Sequence, residues 1–164
     1  MKNLAQLASH FRRAAKAFPA AIAAEVEDQG KAIEADAKSL FGTYQEGWRD
    51  LDDSTRSERV RLGYTSDDPL FRSGALRDAV THKVEHVPGG SSVFVGVEPG
   101  HTMLQGPDGR EVDAALVMGV QEHGSTDGRV PARPVFGTVA AHVDRFQHAA
   151  LIGVMARTEL GHVR

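Results

Sequence analysis

Apolar side chains in the first part of the chain recur at intervals close to three and four, the spacing of one face of an α-helix. The pattern predicts an amphipathic helix from about Lys2 to Phe41, roughly 60 Å long at about 1.5 Å per residue. We expect Pro19 to kink or split it, because proline lacks a backbone N–H. A compact domain of this size does not need so long a helix, so we expect another copy of the protein to cover part of its apolar stripe. The stripe comprises Leu4, Leu7, Phe11, Ala15, Phe18, Ile22, Val26, Ile33, Ala37 and Leu40.

A short second helix is predicted after a polar loop. Gly42 is a plausible C-terminal cap for the first helix, and Thr55-Arg56-Ser57-Glu58 has the composition of a capping box, in which the first and last residues exchange side-chain and backbone hydrogen bonds. The predicted helix runs from about Arg56 to Leu62 and is closed by Gly63.

Alternating apolar and polar positions then predict a hairpin. The alternation runs from Ala79 to Val87 and again over Val93, Val95 and Val97, with Pro88-Gly89-Gly90-Ser91 between the two runs. The Gly- and Pro-rich stretch from Glu98 to Asp113 is predicted to be a long loop or a second extended excursion.

Two helices are predicted in the last third of the chain. Asp113 can cap a helix that stops at Gly124. Pro131-Ala132-Arg133-Pro134 favours extended backbone, since the residue before a proline avoids the α region. A final amphipathic helix is predicted from about Val135 to Leu160, with Gly161 just past its end.

These elements predict an α+β fold: a small, mainly antiparallel sheet flanked by a long N-terminal helix, a short central helix and a C-terminal helix. A chain of 164 residues needs only one domain, in which 1–41 is an N-terminal helical segment and 42–164 an α+β body. Hydrophobic residues make up 41% of the chain but aromatic residues only 6%, and many of the rest are alanines. The predicted core is therefore thin.

Charge and composition exclude some classes of protein. The net charge is -3, with acids and bases interleaved, which argues against tight DNA binding. There is no cysteine, which excludes disulfides and thiolate metal sites and fits assembly in a reducing cytoplasm. The sequence has neither a signal-peptide core nor the roughly 20 consecutive apolar residues of a bilayer span, so we expect a soluble protein without a membrane partner.

A search for catalytic or metal-binding patterns finds none. His82 and His86 lie in the alternating run, where their side chains are roughly 13 Å apart, too far to share an ion. Ser73-Gly74 lacks the nucleophile-elbow pattern, and Gly89 and Gly90 lie in a hairpin turn rather than between a strand and a helix. We therefore predict no catalytic residue, no cofactor and no metal.

For each of two pairs of residues, the sequence allows two interpretations. Arg133 can hold Glu122 bidentately, and so fix the loop between Gly124 and Val130 to the body or reach a neighbouring subunit; otherwise both side chains face water. Tyr44 and Trp48 are anchors for a partner, or they fold back to cap the end of the long helix.

With these residues in place, the chain resembles the phage virion-morphogenesis and tail-completion proteins, the group that includes the Mu-type morphogenesis protein and the lambda minor tail protein Z type. The resemblance covers about residues 30 to 145, and the order and spacing of several short strings carry it. The strings are Ala37-Lys38, Gly42-Thr43-Tyr44-Gln45, Trp48 with Leu51 and Ser54-Thr55, Pro69-Leu70 with Ser73-Gly74-Ala75-Leu76-Arg77, Phe94-Val95-Gly96-Val97, Gln121-Glu122-His123-Gly124-Ser125, and Pro131-Ala132-Arg133-Pro134-Val135-Phe136.

The resemblance implies a non-enzymatic structural subunit of the virion neck that completes the tail or joins it to the head. Such a subunit forms a homo-oligomeric, hexameric ring between the head-side connector and the tail proteins, and DNA passes through without sequence-specific binding. Its expected location is the virion neck or tail, and the host cytoplasm during assembly. The candidate interface and structural residues are Tyr44, Trp48, Glu122, Gly124, Pro131, Arg133, Pro134 and Phe136.

Other functions stay open on the sequence. A tail terminator or a head-tail adaptor would share the ring but face a different neighbour. A non-phage oligomeric scaffold is a further alternative, and a small hydrolase using His123 and Glu122 is a distant one.

Overall fold

The computed structural model describes residues 4–88, 90–105, 109–142, 150 and 152–158. The predicted α+β class is confirmed, with a long N-terminal helix, antiparallel strands and further helices. The helices are α1 (Leu4–Ser39), α2 (Asp53–Arg61), α3 (Ala75–Asp78), α4 (Ala114–His123) and α5 (Phe136–Ala140), and the strands are β1 (Val80–Val87), β2 (Gly90–Val97), β3 (Thr102–Gln105) and β4 (Arg110–Asp113).

The long first helix is confirmed as α1, which has 36 residues. It continues through Pro19, so of the two alternatives for this proline the split is wrong, while the kink stays a prediction. Proline removes one hydrogen bond from the ladder, but alanines on both sides, which are the strongest helix formers, favour continuation.

The predicted hairpin is confirmed: β1 and β2 form one two-stranded sheet. Residues 98–113 contain a second hairpin, in which β3 and β4 pair antiparallel with Thr102 opposite Asp113 and Gln105 opposite Arg110. Of the two alternatives for this stretch, the extended excursion is therefore correct and the long loop is not.

The start of α2 differs from the prediction. The helix begins at Asp53 after the N-cap Asp52, so Thr55 is already helical and does not form the predicted capping box with Glu58. The amide of Arg56 instead donates to the carbonyl of Asp52 at 3.0 Å, as in an ordinary first turn. The predicted end is correct, because Gly63 has a φ of 80° and closes the helix.

The helices near the C-terminus confirm one prediction and correct another. Asp113 caps α4 as predicted, accepting from the Ala115 amide at 2.8 Å. The predicted helix from Val135 to Leu160 begins where expected but is not continuous, because α5 ends at Ala140 and turn residues follow. Residues 152–157 are helical, whereas 143–149, 151 and 159–160, which the prediction also covered, lie outside the described residues.

The chain divides into two compact units. Unit 1 comprises the described residues within Met1–Ala32, His82–Phe94 and His142–Arg164, and unit 2 those within Ile33–Thr81 and Val95–Ala141. Apart from Ala14 and Ala21, the buried hydrophobic side chains of the described chain belong to unit 2. Its larger core residues are Phe41, Trp48, Leu51, Leu76, Val80, Val97, Met118, Val135 and Val139.

Within unit 1, Gly30 lets α1 approach the first hairpin. A Cβ at this position would lie 2.6 Å from Cγ2 of Val93 and 3.0 Å from Cδ2 of His82, closer than ordinary contact allows. His82 also makes a 3.4 Å contact to Glu27 through Nε2. In the part of the chain that the structure describes, no helix has both the length and the apolar composition needed to cross a membrane.

Candidate functional site

All eight candidate residues fall within unit 2. Tyr44 and Trp48 follow α1, and the others lie at or after the end of α4. The structure therefore brings into one compact unit residues that are far apart in the sequence. The contacts of each residue decide what it can do there.

Glu122 caps the start of α5 rather than pairing with Arg133. Its Oε2 accepts from the amides of Val135 at 2.8 Å and Phe136 at 3.0 Å, and its Oε1 accepts from the amide of Gly137 at 2.6 Å. The predicted ion pair and its solvated alternative are both wrong for Glu122. The physical reason is that the first amides of a helix have no partner within the helix, and a carboxylate satisfies them with charge-assisted hydrogen bonds.

Arg133 holds a different part of the backbone. Its side chain is buried, and Nη2 donates to the carbonyl of Arg49 at 2.9 Å and to that of Asp50 at 3.4 Å. Burial, which disfavours the charged form, lowers the pKa of this guanidinium. Arg133 therefore connects the segment after α4 to the loop that precedes α2.

The loop from Gly124 to Val130 closes on itself. The amide of Ser125 donates to the carbonyl of Val130 at 2.9 Å, and the amide of Val130 donates to Oγ of Ser125 at 2.8 Å. A Cβ on Gly124 would lie 3.1 Å from the carbonyl oxygen of Val130, and its φ is 79°, so glycine is required on both counts. Pro131, Pro134 and Phe136, the remaining candidates of this segment, are all partly exposed.

Tyr44 is held by hydrogen bonds within unit 2. Its hydroxyl donates to Oδ1 of Asp67 at 2.6 Å and accepts from the amide of Leu51 at 3.1 Å. Nε of Arg56 donates to the same Asp67 oxygen at 3.0 Å. These two donors, Tyr44 first, lower the pKa of Asp67.

Trp48 is a core residue, because only 9% of its surface is exposed. An aromatic anchor for a partner has to be accessible before binding, and this ring is not. Of the two alternatives for these aromatic residues, inward packing therefore fits Trp48, and Tyr44 too is engaged within the chain.

A second arginine, Arg59, is also buried, and no sequence pattern predicted its role. Its Nη1 donates to the carbonyls of Asp68 at 2.6 Å and Phe71 at 3.2 Å. Burial, and next the repulsion of Arg72, lower the pKa of Arg59. No local signal could have revealed this role, because the one apolar residue of α2, Val60, is itself exposed, and only the tertiary contacts show which arginine turns inward.

A cleft of about 810 Å³ opens in unit 2 beside both buried arginines. Its wall carries four basic residues, Arg59, Arg72, Arg129 and Arg133, and four acidic residues, Asp50, Asp52, Glu58 and Asp78. Glu122 and His123 do not line the cleft. No group of three or more His, Asp or Glu side chains able to hold a metal occurs among the residues that the structure describes.

Comparisons with protein-family models, with curated proteins and with solved structures find no match for this chain.

Proposed function

We propose that this protein is a structural subunit of the phage neck that completes the tail or joins it to the head, as part of a hexameric ring. The alternative within the same class is a tail terminator or head-tail adaptor. The ring lies between the head-side connector and the tail proteins, and DNA passes through it without sequence-specific contacts. The mixed charge of the chain, with a net value of -3, agrees with a lumen that does not hold DNA tightly.

One observation carries this proposal: the residues singled out in the sequence support the backbone. Glu122 caps α5 and Arg133 bonds the loop before α2. Such residues preserve the shape of a unit, and shape is what a subunit that works by surface complementarity has to keep. The same contacts weigh against the hydrolase, because both oxygens of Glu122 already accept amide hydrogen bonds.

The exposed apolar face of α1 supports a role in assembly. Leu4, Phe11 and Phe18 follow one another at intervals of seven and are 79%, 53% and 42% exposed. Residues seven apart lie close to one line along a helix, and large apolar side chains on such a line are typical of interfaces. We propose that α1 and the hairpin β3–β4 make the ring and neck contacts.

Electron microscopy of mature particles produced from the genome that encodes this chain tests the proposal. We expect a ring with density that fits α1 and unit 2. In a matched pair of variants, Phe11→Glu should abolish incorporation into the ring. Val60→Glu, at a position on α2 with 61% exposure, should not. Circular dichroism would verify that both variants fold. Particles without this chain would contradict the proposal.

A further inference from the structure

Two buried guanidinium groups share the wall of the cleft without a carboxylate partner. Arg59 is 9% exposed and Arg133 5% exposed. Neither forms an ion pair within the part of the chain that the structure describes. Because a buried charge is unfavourable unless an opposite charge compensates it, this arrangement invites an anion from outside the unit.

The acids close to these arginines are engaged elsewhere. Asp52 attracts Arg133, but its carboxylate contacts Nη2 of Arg49 at 3.8 Å. Asp68 attracts Arg59, but its carboxylate accepts from Oγ1 of Thr65 at 2.5 Å. Both carboxylates keep their charge nearby, but within the described chain neither of them lies at ion-pair distance from the two guanidinium groups.

Arg59 and Arg133 also have N–H donors that make no hydrogen bond within the described chain. A guanidinium has five N–H donors. Among the described contacts, Arg59 uses only Nη1 and Arg133 only Nη2. Nε of Arg133 is buried and has no hydrogen-bond partner among the described residues. A buried N–H without a partner destabilises the folded state, and small shifts of the Arg133 side chain that admit a ligand oxygen would provide the missing hydrogen bond.

A third guanidinium stands beside the pair. Arg72 lies over the ring of Tyr64, with Cζ 5.1 Å from the ring centre, which fixes its position on the wall. Arg72 and Arg133 both repel Arg59, and a bound anion would relieve that repulsion. The three arginines come from α2, from the segment before α3 and from the segment before α5.

We propose that this cleft is a carboxylate-binding site formed by Arg59, Arg72 and Arg133, and that it receives an acidic side chain of a neighbouring protein in the assembly. The identity of the partner as a neck protein rests on the proposed function, whereas the binding chemistry does not. A protein carboxylate is favoured over a nucleic-acid backbone because Asp50, Glu58 and Asp78 share the wall and would repel the continuous charge of a polynucleotide, whereas a short acidic peptide can place one carboxylate in the cleft and keep the others in solvent. A single carboxylate can accept charge-assisted hydrogen bonds from the arginines of a wall that carries equal numbers of basic and acidic residues.

Arginine side-chain NMR of the full chain tests the site. The probes are an acetylated and amidated tri-glutamate peptide, the matching tri-glutamine peptide, and inorganic phosphate. We expect tri-glutamate to shift the Nε–Hε signals of Arg72 and Arg133 saturably, and tri-glutamine to leave them unchanged. No saturable shift with tri-glutamate, or tighter binding of phosphate than of tri-glutamate, would overturn the proposal.

Variants separate binding from folding. Arg72→Gln removes the positive charge and the guanidinium of a side chain that bonds no backbone carbonyl in the described chain, and should weaken tri-glutamate binding about tenfold. Arg61→Gln makes the same change of charge on α2 outside the cleft and should leave the affinity within about twofold. Equal effects of the two variants would overturn the site.

The assembled particle distinguishes this inference from the proposed function. A ring in which a neighbour places an Asp or Glu side chain in the cleft supports both. A ring with the cleft empty overturns the docking role while the neck assignment stands. Particles that lack the chain, together with saturable tri-glutamate binding, remove the neck assignment and leave the carboxylate site.

Discussion

Units 1 and 2 use charged side chains in different ways. In unit 2, Glu122, Arg133 and Arg59 bond backbone groups, which are held in place by the helices and loops that carry them. Unit 2 also has ion pairs between more exposed side chains, such as Arg56 with Asp67. In unit 1, however, the buried charge itself is held by side chains: Arg157 contacts both Glu25 and Asp28. A bond to backbone restricts one long side chain, whereas an ion pair between side chains restricts two.

The two units also differ in the side chains that they bury. Unit 2 buries large side chains, whereas the buried apolar residues described in unit 1 are Ala14 and Ala21. Unit 1 instead buries Glu25, which is held by Nη1 of Arg157 at 3.3 Å and by Nε2 of Gln29 at 2.8 Å. We therefore expect unit 2 to depend on burial and on backbone bonds, and unit 1 to respond more to salt.

The largest effect is expected for Glu122→Ala in unit 2. The substitution removes all three hydrogen bonds to the start of α5, and we expect the free energy of unfolding to fall by about 3–4 kcal/mol. Urea unfolding followed by the fluorescence of Trp48, the single tryptophan of the chain, measures this. Trp48 lies in the core of unit 2 and so reports on that unit.

Two further variants test the cause of that effect. Glu122→Gln keeps one acceptor oxygen and should lose about half as much stability. Glu111→Ala removes an exposed carboxylate of β4 in the same unit and should change stability by less than about 0.5 kcal/mol. If Glu122→Ala is no more destabilising than Glu111→Ala, the cap does not stabilise unit 2.

The second effect concerns the close approach of Gly153 to Glu25 in unit 1. A Cβ at position 153 would overlap the buried carboxylate, so Gly153→Ala should displace Glu25 and lower stability by about 1–2 kcal/mol. Hydrogen exchange of the amides in residues 20–32 and 152–157 should become faster. In the Glu25→Ala background the same substitution should be neutral or stabilising, since alanine favours helix; an unchanged penalty there would show that the overlap is not the cause.

Arg157→Gln gives a smaller effect that tests the salt dependence of unit 1. Because about a third of the Arg157 side chain is exposed, we expect a loss of about 0.5–1 kcal/mol at low ionic strength. In 1 M NaCl the part of that loss that comes from the exposed Arg157–Asp28 contact should disappear, while the effect of Glu122→Ala should persist. Thermal unfolding at the two salt concentrations measures both, and equal salt dependence would remove the distinction between the units.

The smallest effect is a pH dependence at Asp113. Hydrogen bonds from the amides of Gly100 and then Ala115 lower the pKa of Asp113 from its ordinary value of 3.8. The stabilisation is therefore fully present above pH 3.8 and is lost as the pH falls through the lower pKa of the folded state. Asp113→Asn should be less stable than the wild type near pH 7 and equal to it in strong acid. A constant difference over pH would contradict the charge effect.

Local patterns predicted much of the fold. The spacing of apolar residues predicted α1, alternation predicted the first hairpin, and Asp113 and Gly63 predicted ends of helices, because each signal depends on residues a few positions apart. The errors occurred where two local signals competed. Thr55 has a capping-box sequence, yet Asp52 precedes it and the helix begins earlier.

The candidate site was predicted only as a set of residues. The sequence predicts that Glu122 and Arg133 either pair with each other or face water, but in the structure both bond backbone groups of other segments. Arg133 bonds a carbonyl that is 84 positions away in the chain. The role of Arg59 had no local signal at all.

Periodicity and turn residues were enough to predict the class of fold and most of its elements. Which charged side chains are buried, which backbone groups they bond, and the cleft they share were decided by long-range packing. The physical reason is that a helix or turn forms from neighbours in sequence, whereas the partner of a guanidinium or carboxylate depends on which segments the fold brings within about 3 Å of it.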